Sequence, residues 1–208
     1  MGFEESALTR LRRYRDEADR SLGFIREAEE AAHSFSERLF AGLEYTSALG
    51  RQAGFGIETS HASGMLDLRV MAGPDSRAGV SFGLLEGVAA ETDEDLMHEK
   101  LSRYSLEPSG YSGRIFGWSE AAGDELCQTF AVYRDGIWKT KGLFVTKARG
   151  RVDDSDEVLN GFCLRILGRL IDLAATIGDA GRRWACDTYT LSDFLEGKAY
   201  PNETRLPR

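Results

Sequence analysis

A long amphipathic pattern opens the chain and restricts its fold more than any later segment. From Leu8 onward, apolar residues recur in steps of three and four, at Leu11, Tyr14, Ala18, Leu22, Ile25, Ala28, Ala32, Phe35, Leu39 and Leu43. This spacing keeps one apolar stripe along one side of an α-helix. At about 1.5 Å per residue the helix is about 50 Å long, which exceeds the width of a small domain. We therefore expect part of it to project or to pair with another helix.

The pattern divides the chain into three parts. Residues 1–49 form the long N-terminal helix, either coiled-coil-like or folded as a helical hairpin, residues 50–197 form an α+β core, and residues 198–208 form a tail without periodicity. A capping box at Ser34-Phe35-Ser36-Glu37 would allow a second helix to start there. Because no Gly or Pro adjoins that box, we favour one continuous helix or a shallow kink.

The core is predicted to hold an antiparallel sheet of about five strands. The candidate strands are Met65–Met71, Val80–Glu86, Arg114–Trp118, Glu125–Arg134 and Ile137–Ala148. The Gly-rich residues 50–64 are predicted to be a loop. Asp135-Gly136 favours a hairpin with a two-residue loop, which sets Tyr133 opposite Trp138 and places Lys139 and Lys141 on the face of Phe130.

Two more helices complete the predicted fold. A central helix begins after the cap at Thr92 and ends before Pro108. A long C-terminal helix follows the acidic cap at residues 154–157, and its polar residues occupy so narrow a stripe that most of its circumference should be buried. The fold class is therefore α+β.

Composition narrows the possible locations and ligands. The chain has 208 residues, a net charge of −8, 42% hydrophobic residues and 29% charged residues, values typical of a soluble globular protein. Its acidic first residues do not resemble a secretory signal, so we expect a cytoplasmic protein that spans no membrane. The negative charge disfavours nucleic acid as a partner. Three cysteines far apart in sequence favour neither a disulfide framework nor a metal site, and no cofactor is predicted.

Motifs of catalysis are weak in this sequence. Residues 79–83, Gly-Val-Ser-Phe-Gly, match the nucleophile elbow of serine hydrolases, but a turn precedes them and a strand-like segment follows, so a strand with glycines is the better interpretation. His33, His61 and His98 have no ligand spacing. No catalytic or metal-binding residue is predicted, and the chain is expected not to be an enzyme.

Three cations near the predicted hairpin form the candidate ligand site. Lys139 and Lys141 point the same way from one strand and lie near Arg134, with Arg114 a further neighbour. Such a patch can hold a carboxylate, a phosphate or an acidic segment of a partner. The alternative is a solvated sheet face whose charges discourage pairing with other strands.

The C-terminal segment and the first helix favour interaction over catalysis. The candidate partner-binding residues are Trp184, Tyr189, Phe194 and Leu195; the alternative is that they pack on their own domain. The order of predicted elements resembles that of small acidic secretion chaperones at the level of the fold. We expect a bacterial-type interaction, adaptor or chaperone-like protein that acts as a homo-oligomer or with a protein partner. The alternative is a sensor of a small anionic ligand or nucleotide, or an enzyme of unfamiliar type that uses the basic sheet face.

Overall fold

The computed structural model describes residues 3–62, 64–73, 77–90, 111–119 and 126–176. Within them the elements are α1 (Phe3–Gln52), β1 (Gly56–Ala62), β2 (Met65–Met71), β3 (Arg77–Ala90), β4 (Tyr111–Trp118), β5 (Leu126–Tyr133), β6 (Ile137–Gly142), β7 (Lys147–Arg151) and α2 (Asp156–Thr176). The fold is α+β with a long N-terminal helix, as predicted. The predicted central helix and the predicted tail lie outside the described residues.

The described strands form one antiparallel sheet in which each strand pairs with the next along the chain. It has seven strands, so the prediction of five was wrong. β1 occupies the segment that was predicted to be a loop, and Ile137–Ala148 is divided between β6 and β7. The buried Gln128 accounts for the division: its Oε1 accepts hydrogen bonds from the backbone N–H of Phe144 and Val145, both at 3.1 Å, and so holds the segment that connects the two strands.

The hairpin between β5 and β6 has a three-residue loop in place of the predicted two-residue loop. Val132 pairs with Trp138 and Ala131 pairs with Lys139. Gly136 adopts a φ of 76°, a left-handed conformation that favours glycine, and its N–H donates to the carbonyl of Tyr133 at 2.9 Å. The additional loop residue shifts the register by one and turns Lys139 and Lys141 to the face opposite Phe130.

Both described helices pack against one face of the sheet, which we call the inner face. Phe35 of α1 stacks on Trp138 with ring centroids 5.1 Å apart, and Phe162 of α2 lies 5.0 Å from the same ring. The helix α1 approaches the sheet most closely at Gly113, where a Cβ atom would collide with the side chain of Ala32. Burial of these rings supplies much of the free energy that holds the two helices on the sheet.

The helix α1 is continuous from Phe3 to Gln52. The hydroxyl of Ser36 donates to the carbonyl of His33 at 2.8 Å within the same helix, so the predicted capping box starts no second helix. No helix in the described ranges is long and apolar enough to cross a membrane.

The helix α2 buries one face. The buried side chains are Leu159, Phe162, Cys163, Ile166, Leu167, Leu170 and Ala174. Val158 and Leu164 are 58% and 56% exposed, so the prediction that most of the circumference is buried was wrong. The inner face and α1 cover this helix from one side only, and apolar residues on its other side remain in contact with water.

Candidate functional site

The two halves of α1 differ in their surroundings. All ten buried residues of this helix lie between Ala28 and Ser47. None of the residues 3–27 is buried. We call residues 3–27 the arm and residues 28–52 the core half. At about 1.5 Å per residue, the arm extends for about 37 Å without becoming part of the core.

The arm carries large apolar side chains that are exposed. The exposed fractions are 88% for Phe3, 54% for Leu8, 61% for Leu11, 62% for Tyr14 and 63% for Leu22. Leu11 and Tyr14 continue the three- and four-residue spacing of the side chains that the core half buries. A contiguous exposed apolar stripe of this kind marks a surface for protein association more often than an ordinary solvated helix face.

The polar side chains of the arm pair mainly within the helix. Arg13 Nε lies 2.7 Å from Glu17 Oε1, and Arg15 lies 3.7 Å from Asp16. More than 45% of each of these four side chains is exposed, so the pairs contribute little to the stability of the helix. These ion pairs involve the charged side chains of the arm and do not account for its exposed apolar stripe.

Arg134, a predicted ligand-binding residue, lies at the base of the arm. Its guanidinium packs over the ring of Phe24 at 3.8 Å from the ring centroid, and its Nη1 lies 3.7 Å from Glu27 Oε2. The structure therefore directs Arg134 toward α1 on the inner face. It does not join Lys139 and Lys141 on the opposite face.

Lys139 and Lys141 are brought together with two further cations on the outer face of the sheet. In the register between β6 and β7, Lys139 pairs with Arg149 and Lys141 pairs with Lys147. We call these four residues the basic face. Like charges directly opposite each other repel, and the two pairs place four cations next to one another on this face. In the sequence, Lys147, Arg149 and Arg151 alternate with other residues. This spacing could have revealed that β7 contributes cations to the basic face.

Arg114 lies in the same cross-strand row as Lys139. The row runs from Arg114 through Ala131 and Lys139 to Arg149. The side chain of Arg114 is fully buried, whereas Arg149 at the other end of the row is exposed. Arg114 and Lys139 therefore lie in one row across the sheet, and Ala131 on the strand between them separates the two side chains.

Two side chains of nucleophilic type in the described part of the chain, Ser81 and Cys163, have surroundings that do not activate them. Ser81 lies within β3, where its hydroxyl donates to the carboxylate of Asp67 on β2, so the interpretation as a strand with glycines is confirmed. Burial raises the pKa of the Cys163 thiol to about 12, which leaves no thiolate near neutral pH. Among the described residues, no group of three His, Cys, Asp or Glu side chains is placed to hold a metal ion.

The predicted partner-binding residues Trp184, Tyr189, Phe194 and Leu195 lie outside the described residues. Comparison of the chain with protein-family models, curated proteins and solved structures gave no match. The function must therefore be inferred from the chain's own surfaces, of which the arm and the basic face are the two candidates.

Proposed function

We propose that this chain is a non-enzymatic interaction protein of the adaptor or chaperone-like type, and that it self-associates through the arm. The observation that carries the proposal is the exposed apolar stripe on the arm, which continues the stripe that the core half buries. A homo-oligomeric, cytoplasmic, bacterial-type adaptor is the form of this function that also fits the acidic composition.

Exposure of the stripe to water is unfavourable in free energy. Burying one Leu or Phe side chain contributes about 1.5–3 kcal/mol, and the arm holds several such side chains that are more than half exposed. A second helix covers a stripe of this spacing by inserting its own apolar side chains between those of the first. Association removes this surface from water, and a helix is the partner whose shape fits it.

The test is the mass of the full chain in solution, measured by sedimentation equilibrium over a range of concentrations. We expect the wild type to be a dimer or larger, and a Leu11→Gln, Leu22→Gln variant to be monomeric, because both substitutions keep good helix formers while removing apolar surface. A matched control carries Arg12→Gln and Arg20→Gln, which alter charged residues of the same arm, and should keep the wild-type mass. A monomeric wild type at every concentration would refute the proposal.

A second candidate function is supported by the basic face. Four cations in two directly opposed pairs offer several charged donors to an anion with more than one acidic group, such as a nucleotide phosphate chain. This function would make the chain a sensor of a small anionic ligand, with Lys139 and Lys141 as binding residues.

Calorimetric titration with pyrophosphate tests this second function. Binding should weaken at least about tenfold in a Lys147→Gln, Arg149→Gln variant, since each charge-assisted hydrogen bond is worth about 1.5–3 kcal/mol. An Arg165→Gln, Arg169→Gln variant, altered on the exposed side of α2, serves as the charge-matched control and should bind as the wild type does. Equal binding by both variants would exclude the basic face.

A further inference from the structure

We infer that the arm pairs with the arm of a second copy of this chain in an antiparallel orientation. This inference rests on the proposed function, because it specifies how the self-association occurs. Two independent features of the arm carry it: the order of its charges and the order of its large and small apolar residues.

The charges of the arm are separated into two blocks. Residues 10–15 contain four arginines and no acidic residue, and residues 16–19 contain three carboxylates and no basic residue. Together the blocks span about 15 Å of helix. The arm therefore has a positive and a negative segment side by side, each about as long as the distance over which salt screens a charge.

Orientation decides which blocks face each other. Two parallel arms in register place the arginine block beside itself and the acidic block beside itself, which is repulsive over both segments. Two antiparallel arms related by a two-fold axis at Asp16 place residues 13–15 beside residues 17–19 of the second copy, whereas Arg12 lies level with Arg20 and Asp16 with its own equivalent. In that register Arg13 is level with Asp19 of the second copy, and Arg15 is level with Glu17. The attraction acts twice, once on each side of the axis.

The apolar stripe supports the same register. Along the arm the stripe holds the larger Leu11 and Tyr14 before the smaller Ala18, and Leu22 follows beside Ser21. The antiparallel register sets Tyr14 level with Ala18 and Leu11 level with Ser21, so these layers combine a large side chain with a small one, and Leu22 lies level with Arg10. A parallel pair would set Tyr14 against Tyr14 and Ala18 against Ala18, which alternates crowded layers with empty ones.

The length of the arm also fits this arrangement. With the axis at Asp16, residue 4 of one copy is level with Ala28 of the other. Ala28 is the first buried residue of α1, the point at which the helix meets its own sheet. The overlap therefore extends along the arm to the region where Arg134 packs over Phe24 and the domain begins.

Mixing two forms of the full chain tests the orientation. The exchanged variant carries Arg13→Glu, Arg15→Glu, Glu17→Arg and Asp19→Arg, which reverses the order of charges at the four facing positions. Native mass spectrometry then measures the dimers in an equimolar mixture of this variant with mass-labelled wild type. A mixture of labelled and unlabelled wild type is the control that shows subunits exchange freely.

The antiparallel pair predicts that the wild type and the exchanged variant each form homodimers and that mixed dimers fall at least about fivefold below random pairing. Mixed dimers in excess of random pairing would overturn the inference and show parallel arms, while the proposed self-association would stand. A wild type that is monomeric would overturn both. These outcomes separate failure of the orientation from failure of the proposed function.

A distance measurement gives an independent answer that does not depend on the exchanged variant. A spin label on Thr9→Cys, in a chain carrying Cys186→Ala, reports the separation between equivalent positions of the two arms. In the antiparallel register Thr9 is level with Gly23, 14 residues away, so the labels should be separated by about 20 Å along the helix axis. Labels at the same level, separated only by the width of two helices, would overturn the inference.

Discussion

The arm and the core half of α1 are two stretches of one helix with the same apolar spacing and opposite surroundings. In the core half, Phe35, Leu39 and Leu43 are at most 1% exposed, whereas in the arm Leu11 and Tyr14 are more than 60% exposed. The helical period alone cannot distinguish the two, because it specifies which side of a helix is apolar and not what lies against that side. The comparison shows that, within the part of the chain that the structure describes, the stripe is buried in the core half and exposed in the arm.

The largest contrast is expected between aromatic residues of the two halves. Phe35→Ala should lower the free energy of unfolding by about 3–5 kcal/mol, because it leaves a cavity beside Phe130 and Trp138. Tyr14→Ala should leave it unchanged within about 0.5 kcal/mol when measured on dilute, monomeric protein. Urea unfolding followed by circular dichroism measures both. A similar loss for the two variants would mean that the arm is packed on the domain.

Two arginines provide a contrast of intermediate size. Arg38 in the core half donates to the carbonyls of Val152 and Asp154 and pairs with Asp156 at 2.7 Å. Arg38→Ala should therefore cost about 1.5–3 kcal/mol of unfolding free energy, since hydrogen bonds to charged groups are of that size.

The matched variant is Arg13→Ala in the arm, measured on dilute, monomeric protein, where the ion pair that the described residues give Arg13 is the exposed one with Glu17. It should cost less than about 0.5 kcal/mol in the same unfolding experiment, and added salt should reduce even that. A cost for Arg13→Ala as large as that for Arg38→Ala would contradict the division of α1 into two halves.

The smallest effects, of opposite sign, are expected at two glycines of the helix. A Cβ at Gly42 would lie 2.9 Å from Cys163 Sγ, whereas a Cβ at Gly23 would meet nothing within 4 Å. Gly23→Ala should stabilise the chain by about 0.5–1 kcal/mol through helix propensity alone. Gly42→Ala should destabilise it by about 1 kcal/mol, because overpacking exceeds that gain. Thermal melting of both variants checks the signs, and a gain at both sites would show that the contact with α2 is loose.

The sequence predicted best the elements that bury a regular apolar pattern. The helix α1 and the strands β2 to β5 were located because their apolar residues recur at helical or strand spacing. The strand β1 was missed because Gly56 and the glycines on either side of the strand indicate a loop, and Ile57 is its sole buried side chain. The strand β7 was missed because Ala148 and Gly150 are the residues it turns inward, so it offers no large apolar residue as a signal.

The candidate sites depended on details that spacing does not determine. Asp135-Gly136 identified the turn between β5 and β6, but the loop contains one more residue than predicted. The additional loop residue places Lys139 on the outer face of the sheet. Its neighbour across the strands is therefore Arg149 and not a residue of the core. The length of α1 predicted that part of it would project or pair with another helix, but not which part, because the end of the core at Ala28 follows from the width of the sheet and not from α1 itself.

The position of α1 at the start of the chain has a consequence for synthesis on the ribosome. The core half is complete once residue 52 has been made, yet Phe130 and Trp138, which cover Phe35, are made roughly 80 residues later. At about 5–20 residues per second, the residues that bury the apolar side of this helix are synthesised several seconds after the helix itself. During that interval both halves of α1 expose their apolar side, and the sheet later covers only the core half.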